Sequence, residues 1–143
     1  MIRIISNPFS NNTINLKSFT MGSHPINLII RFVLELLALL AVGFWAWKSF
    51  DGALQYILGI GLPILMTIVW GTFAVPDDPS RSGKAPIPVS GSLRLLIELL
   101  FFAIATWALY DLQEIELSSI FGGLVIIHYL VSYDRISWLL SKK

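Results

Sequence analysis

The sequence contains no cysteine, and only 13% of its 143 residues are charged. Without cysteine, disulfides, iron–sulfur clusters, thiol catalysis and cysteine zinc sites are excluded. An average soluble domain carries roughly 25% charged residues, so this chain has about half the usual supply. His24 and His128 are the two histidines, with no HExxH spacing, which removes the usual zinc-hydrolase pattern. A net charge of +1 leaves no electrostatic footprint for nucleic acid. Neither a P-loop nor GxGxxG occurs, so no nucleotide or other cofactor is expected.

What the chain does have is apolar sequence, 55% of its residues, gathered into four nearly unbroken blocks. A soluble protein of this length could not hide them all. The expected fold is therefore all-α: an integral membrane four-helix bundle with the lipid bilayer as its solvent. The spans run about 26–47, 54–73, 93–110 and 117–133. Their lengths approach or match a hydrocarbon core of roughly 30 Å at ~1.5 Å per residue. Residues 25–143 form this transmembrane domain, and residues 1–24 read as a polar, flexible cytosolic tail without the apolar stretch of a signal peptide. Met1 and Met21 both stay open as translation starts. Past Tyr133, Asp134 and Arg135 interrupt the apolar run, and Ile136–Leu140 continues as a helix leaving along the interface.

Flanking charge orients the spans. Arg3, Lys17, Arg81, Lys84, Arg135, Lys142 and Lys143 share the side holding both termini and the long loop. The opposite side has Lys48 against Asp51, Asp111, Glu114 and Glu116. Seven basic residues against one put both termini in the cytosol. The tryptophans agree, with Trp45, Trp47 and Trp107 at outer ends and Trp70 and Trp138 at inner ends.

Of nineteen charged side chains, fifteen fall in flanks and loops by this reading, and four fall inside spans. The four are Arg31 and Glu35 in Arg-x3-Glu-Leu-Leu of the first span, and Arg94 and Glu98 in the same pattern of the third. The offset is 63 residues, and both tandem duplication of a helical hairpin and convergence explain it. Each pair shares one helical face. A charge at mid-span costs about 2.5–3.5 kcal/mol on insertion scales, so such residues face the bundle interior. Arg31 lies ~7 Å from the inner end of its span, Glu35 ~14 Å, and Glu98 and His128 ~8 Å. Asn27 extends the first stripe by one turn. Asn27, Arg31, Glu35, Arg94, Glu98 and His128 are accordingly expected in one polar cluster in the inner half of the membrane.

That cluster supports two readings: a structural clamp that specifies helix docking, or a proton or cation site at Glu35 or Glu98. The arginine four residues from each carboxylate argues against proton cycling. Pro63 in mid-span is expected to kink the second helix. The inner loop, Trp70-Gly71 through Pro76, Asp77, Asp78, Pro79 and Arg81, reads as a solvated turn or a contact for a cytosolic partner. Its two adjacent aspartates, without further ligands, make a poor metal site, and no metal is expected.

The order Arg31-x3-Glu35-Leu-Leu, Trp70-Gly71-x-Phe73-x2-Pro76-x2-Pro79-x-Arg81, Arg94-x3-Glu98-Leu-Leu resembles the YrdB-like family of small bacterial membrane proteins with four spans. The likeness covers Pro25 to Ser137. It implies bacterial origin and residence in the cytoplasmic (inner) membrane, and it carries over no catalytic or transport role. The expected function is a non-enzymatic structural or accessory membrane component whose Arg–Glu pairs fix helix packing. The alternative is a small ion- or proton-coupled transporter using Glu35 or Glu98. Either would take a second copy of the chain, as a homodimer, or another membrane protein as partner.

Overall fold

In lipid a backbone must satisfy its own hydrogen bonds, and helix is the local way to do so; each of the four apolar blocks is helical. The structure, a computed structural model, describes residues 24–78, 80 and 84–143. The polar tail with Met1, Arg3, Lys17 and Met21, and the loop residues Pro79 and Arg81, lie outside the described residues. α1 spans Pro25–Ser49, with Pro25 in its first turn and His24 Nδ1 accepting the Ile26 N–H at 3.3 Å. Gly52, at φ 63°, turns the chain into α2, Ala53–Thr72. α3 covers Gly91–Asp111, with the Ser90 hydroxyl accepting the Leu93 N–H. α4 covers Ile115–Val131 and α5 Tyr133–Leu140.

Three of these helices, α1, α2 and α3, are by themselves long and apolar enough to cross a membrane. α4 reaches that length only together with α5, from which it is bent by 70°. Ser132 stands at the break, capping the end of α4 through its N–H to the His128 carbonyl.

α1 packs most extensively on α2 and α3, and α3 on α4 and α5. The contacts of α1 with α4 and of α2 with α3 are small. The central pair is therefore α1 and α3, and both carry their buried residues as a stripe at helical spacing. On α1 it is Asn27, Leu34, Ala38, Ala41, Val42 and Ala46; on α3 it is Arg94, Glu98, Phe101, Phe102, Ala105 and Ala108. Each stripe is polar toward the N-terminal end of its helix and apolar beyond it. Lipid tails are as apolar as leucine, so burying leucine adds little driving force between membrane helices; close van der Waals packing and polar contacts hold them. Ala38, Ala41, Ala105 and Ala108 keep the backbones near each other in the apolar layer. Gly43 does the same against α2, where an added Cβ would stand 3.0 Å from the Gly59 carbonyl oxygen.

α2 has no buried residue at all. Pro63 lies inside it, and the helix continues unbroken from Ala53 to Thr72 across that position. The proline removes the N–H that would have bonded the Gly59 carbonyl, the same carbonyl that faces Gly43.

The loop after α2 is less irregular than its composition suggests. Phe73–Ala74 (β1) pairs in parallel with Ile87–Pro88 (β2), and the Val89 N–H donates to the Ala74 carbonyl at 3.0 Å. This bridge returns the chain to the C-terminal end of α2 before α3 begins. The start of α3 then meets the C-terminal segment. The Gly91 N–H donates to the Lys142 carbonyl at 2.8 Å, and a Cβ on Gly91 would run into the carbonyl of Leu139. Glycine is required here by the approach of α5.

Candidate functional site

Glu98 sits one helical turn from Arg94 on the buried stripe of α3, and it is 1% exposed. A carboxylate so placed is expensive unless its lone pairs are taken by donors. Three guanidinium groups take them. Oε1 accepts from Arg31 Nη2 at 2.9 Å, Arg94 Nε at 3.0 Å and Arg135 Nη2 at 2.7 Å. Oε2 accepts from Arg135 Nη1 at 2.7 Å and, more weakly, from the Tyr129 hydroxyl at 3.4 Å.

Each arginine has further duties. Arg31 donates Nε to Glu35 at 2.9 Å and Nη1 to the Ser80 hydroxyl at 3.2 Å. Arg94 donates to the carbonyls of Trp70 and Phe73, at the C-terminal end of α2. Carbonyls there lack intrahelical partners and form the negative end of the helix dipole, so a cation suits them. Arg94 also lies over the Trp70 ring at 4.1 Å, with Arg31 over the same ring at 5.1 Å. Arg135 pairs with Asp78 at 3.1 Å and donates Nε to Ser80 at 3.0 Å. The network thus holds Arg31, Arg94 and Arg135 against Glu35, Asp78 and Glu98, a balance of charge. Beside it Trp70, Phe101 and Phe102 are in ring contact in sequence, Trp70 tilted on Phe101 at 4.9 Å and Phe101 edge-to-face with Phe102 at 5.5 Å. Phe101 and Phe102 belong to the apolar core, and Trp70 packs against it.

Four of the six residues expected in the cluster, Arg31, Glu35, Arg94 and Glu98, are joined directly. Asn27 is buried beside them, but its amide donates to the Ser132 hydroxyl at 2.7 Å, fastening α1 to the α4–α5 corner. His128 lies within electrostatic reach of Arg31, Arg135 and Glu98 but makes no hydrogen bond to them. It is buried with its ring 5.7 Å from Tyr129, and its Nδ1 has no hydrogen-bond partner among the described residues. The next residue of α4, turned by about 100°, is Tyr129, and that side chain takes the contact to Glu98.

Two residues assigned to flank and loop belong inside the network. Arg135 is 6% exposed and pairs with Glu98 and Asp78. The buried positions of the C-terminal region run Ser118, Phe121, Val125, His128, Ser132, Arg135, Leu139. That three-and-four spacing continues through the bend, and it was the available signal for Arg135. Asp78 corrects the reading of a solvated inner turn. It is buried and accepts the Ser80 N–H and hydroxyl, at 2.9 Å and 2.7 Å, besides Arg135. Burial alone would raise its carboxyl, but the Ser80 hydrogen bonds and the Arg135 charge outweigh that and hold it below its ordinary value. Asp77 diverges from its neighbour, exposed and at φ 59°, and Pro76 is exposed with it. No local pattern marks Asp78, because a loop has no periodicity to read.

The network is closed on one side only. A pocket of about 330 Å³ lies against it, lined by Arg31, Glu35, Arg94, Asp78, Trp70 and Gly71 among others. The side chains of Glu35 and Arg31 are 18% and 11% exposed, against 1% for Glu98.

A family model described as "Protein of unknown function (DUF2568)" matches residues 29–126. Over 116 residues the chain is 51% identical to "Uncharacterized protein YrdB" of Bacillus subtilis (strain 168), a match covering 81% of this chain and 94% of that protein. No solved structure matches the chain. The family match includes Arg31, Glu35, Asp78, Arg94 and Glu98, and ends before His128 and Arg135.

Proposed function

The chain belongs to the YrdB-like, DUF2568 family, and we propose that it is a non-enzymatic structural or accessory component of the bacterial cytoplasmic membrane. The helices form a four-span bundle, α4 completing the fourth span, with both termini in the cytosol and the two hairpins arising by duplication. The charge network is its packing determinant. The observation that carries this reading is Glu98, buried and engaged by arginines from α1, α3 and α5. A carboxylate used for transport must release its partners in each cycle, and three guanidiniums oppose that release. The engagement also ties together elements far apart in sequence, which is the work of a clamp.

The second reading, a small ion- or proton-coupled transporter, draws support from Glu35, whose carboxylate borders the pocket. The same variants separate the two. For a clamp, Glu35→Gln and Glu98→Gln lower the amount of protein in the membrane, and adding Arg31→Leu or Arg94→Leu to the matching variant restores it. If both variants keep wild-type abundance and oligomeric state yet abolish ion flux in reconstituted vesicles, the clamp is refuted and Glu35 or Glu98 is a transport site.

A further inference from the structure

Among the carboxylates of the network, Glu35 is the one whose hydrogen-bonding capacity is left open. Glu98 has both oxygens engaged, by arginines and Tyr129. Asp78 has both engaged as well, by Ser80 and Arg135. Glu35 accepts from Arg31 at Oε1, and its Oε2 has no partner among the described residues. Arg31 commits three of its five N–H groups, to Glu35, Ser80 and Glu98, which leaves two. Both residues line the pocket of about 330 Å³ beside the network. Open valences on a partly buried ion pair are unfavourable against hydrocarbon and satisfied by water. The charged groups of the lining cancel, Arg31 and Arg94 against Glu35 and Asp78, so the pocket offers no net charge to an ion. Its volume has room for several waters, each taking roughly 30 Å³ in the liquid.

The lining also has a direction. Asp78 and Ser80 lie in the segment between α2 and α3, and Gly71 is the last residue but one of α2. Glu35, at the other extreme, is the eleventh residue of α1, roughly 15 Å along it from Pro25 at ~1.5 Å per residue. A segment joining two spanning helices stands at the end of the spans, and irregular backbone deeper than that is tolerated only inside protein or along a water-filled cavity. The lining therefore runs from the end of the spans toward the middle of α1. We propose that this pocket is a water-filled vestibule, open on the side of the α2–α3 segment, through which the aqueous phase reaches the Glu35 carboxylate. Water donates to Oε2 and accepts from the uncommitted N–H groups of Arg31. Glu98 stays dry behind them, 1% exposed. The two Arg–Glu pairs thereby differ in kind: one is a dry clamp, and the other meets water partway across the bilayer. The inference goes beyond the clamp and rests on the membrane placement proposed above.

The chain lacks cysteine, so single cysteines report where water reaches. Glu35→Cys and Phe32→Cys, both at positions that line the pocket, are compared with Leu36→Cys. Leu36 follows Glu35 at nearly the same depth, is 44% exposed and does not line the pocket. Phe32 has no hydrogen bond to the network, so Phe32→Cys keeps the test decisive where Glu35→Cys fails to fold. A permanently charged methanethiosulfonate is applied to the full chain in open membrane fragments, and labelling rates are read by mass spectrometry. Both pocket positions are expected to label at least about tenfold faster than Leu36→Cys, because a charged reagent is excluded from hydrocarbon. Labelling of the pocket positions as slow as that of Leu36→Cys overturns the vestibule alone. A folded Glu35→Cys that stays unreactive beside a reactive Phe32→Cys overturns it too, since water then stops short of Glu35. Equally fast labelling at all three positions puts Leu36 in water, which overturns the membrane placement itself and the vestibule with it.

Discussion

Glu98→Gln tests the clamp most directly, because it preserves shape while removing one negative charge. Wild-type Glu98 receives four guanidinium hydrogen bonds of 2.7–3.0 Å. Glutamine offers one carbonyl oxygen, and its amide places donors against donors. Three arginines then face only Glu35 and Asp78, so one buried positive charge is uncompensated. Breaking a buried ion pair from one side costs about 3–5 kcal/mol. At roughly 3 °C per kcal/mol for a chain of this size, the melting midpoint in detergent should fall about 9–15 °C. The decisive measurement is the double variant with Arg94→Leu. Arg31 retains Glu35 and Arg135 retains Asp78, whereas Arg94 has no carboxylate partner but Glu98. Removing it restores neutrality, at the loss of its bonds to the Trp70 and Phe73 carbonyls. The double variant should be more stable than Glu98→Gln alone, with a coupling of about 1–3 kcal/mol in a double-mutant cycle. Strict additivity of the two losses would refute the charge-balance reasoning.

Other outcomes follow from single positions. Gly91→Ala should destabilise by about 1–3 kcal/mol or more, since its Cβ meets the Leu139 carbonyl; Gly61→Ala, where nothing lies within 4 Å, should be neutral or stabilising by up to about 1 kcal/mol, both read as shifts of the melting midpoint in detergent. Asp78, held below its ordinary value of 3.8, contributes stability that is fully present above that value and lost as pH falls through its folded value; Asp78→Asn should flatten this part of the acid limb in melts from pH 6 downward. Because the native chain lacks cysteine, single cysteines report sidedness: an impermeant maleimide should label Asp51→Cys in intact cells, and Lys143→Cys only after lysis.

Much of the candidate site is legible in the chain because it is made of local repeats. Arg31 with Glu35 and Arg94 with Glu98 are helical neighbours by spacing alone, and hydropathy places them where only an inward face is tolerable. The two pairs nevertheless fare differently. Glu98 becomes the centre of the network and Glu35 its rim, although the flanking residues are nearly the same. The difference comes from what packs opposite: α5 and the loop bring Arg135 and Asp78 to Glu98, while Glu35 faces the pocket. His128 illustrates the limit of depth arithmetic, which locates a residue along a helix axis but not around it. Tyr129, one position on, reaches Glu98.

Hydropathy adds residue by residue, so the sequence by itself determined that the chain is mostly apolar helix long enough to span a bilayer. Helical periodicity is likewise local, and it determined the two Arg–Glu pairs. Only the tertiary structure decided that the network is charge-balanced and three arginines deep. That outcome depends on the 70° turn between α4 and α5 and on the return of the loop between α2 and α3. Both are held by contacts between residues dozens of positions apart, such as Gly91 with the C-terminal segment and Ser80 with Arg31 and Arg135. A buried charge is tolerated only where its partners converge, and convergence is a property of the folded chain.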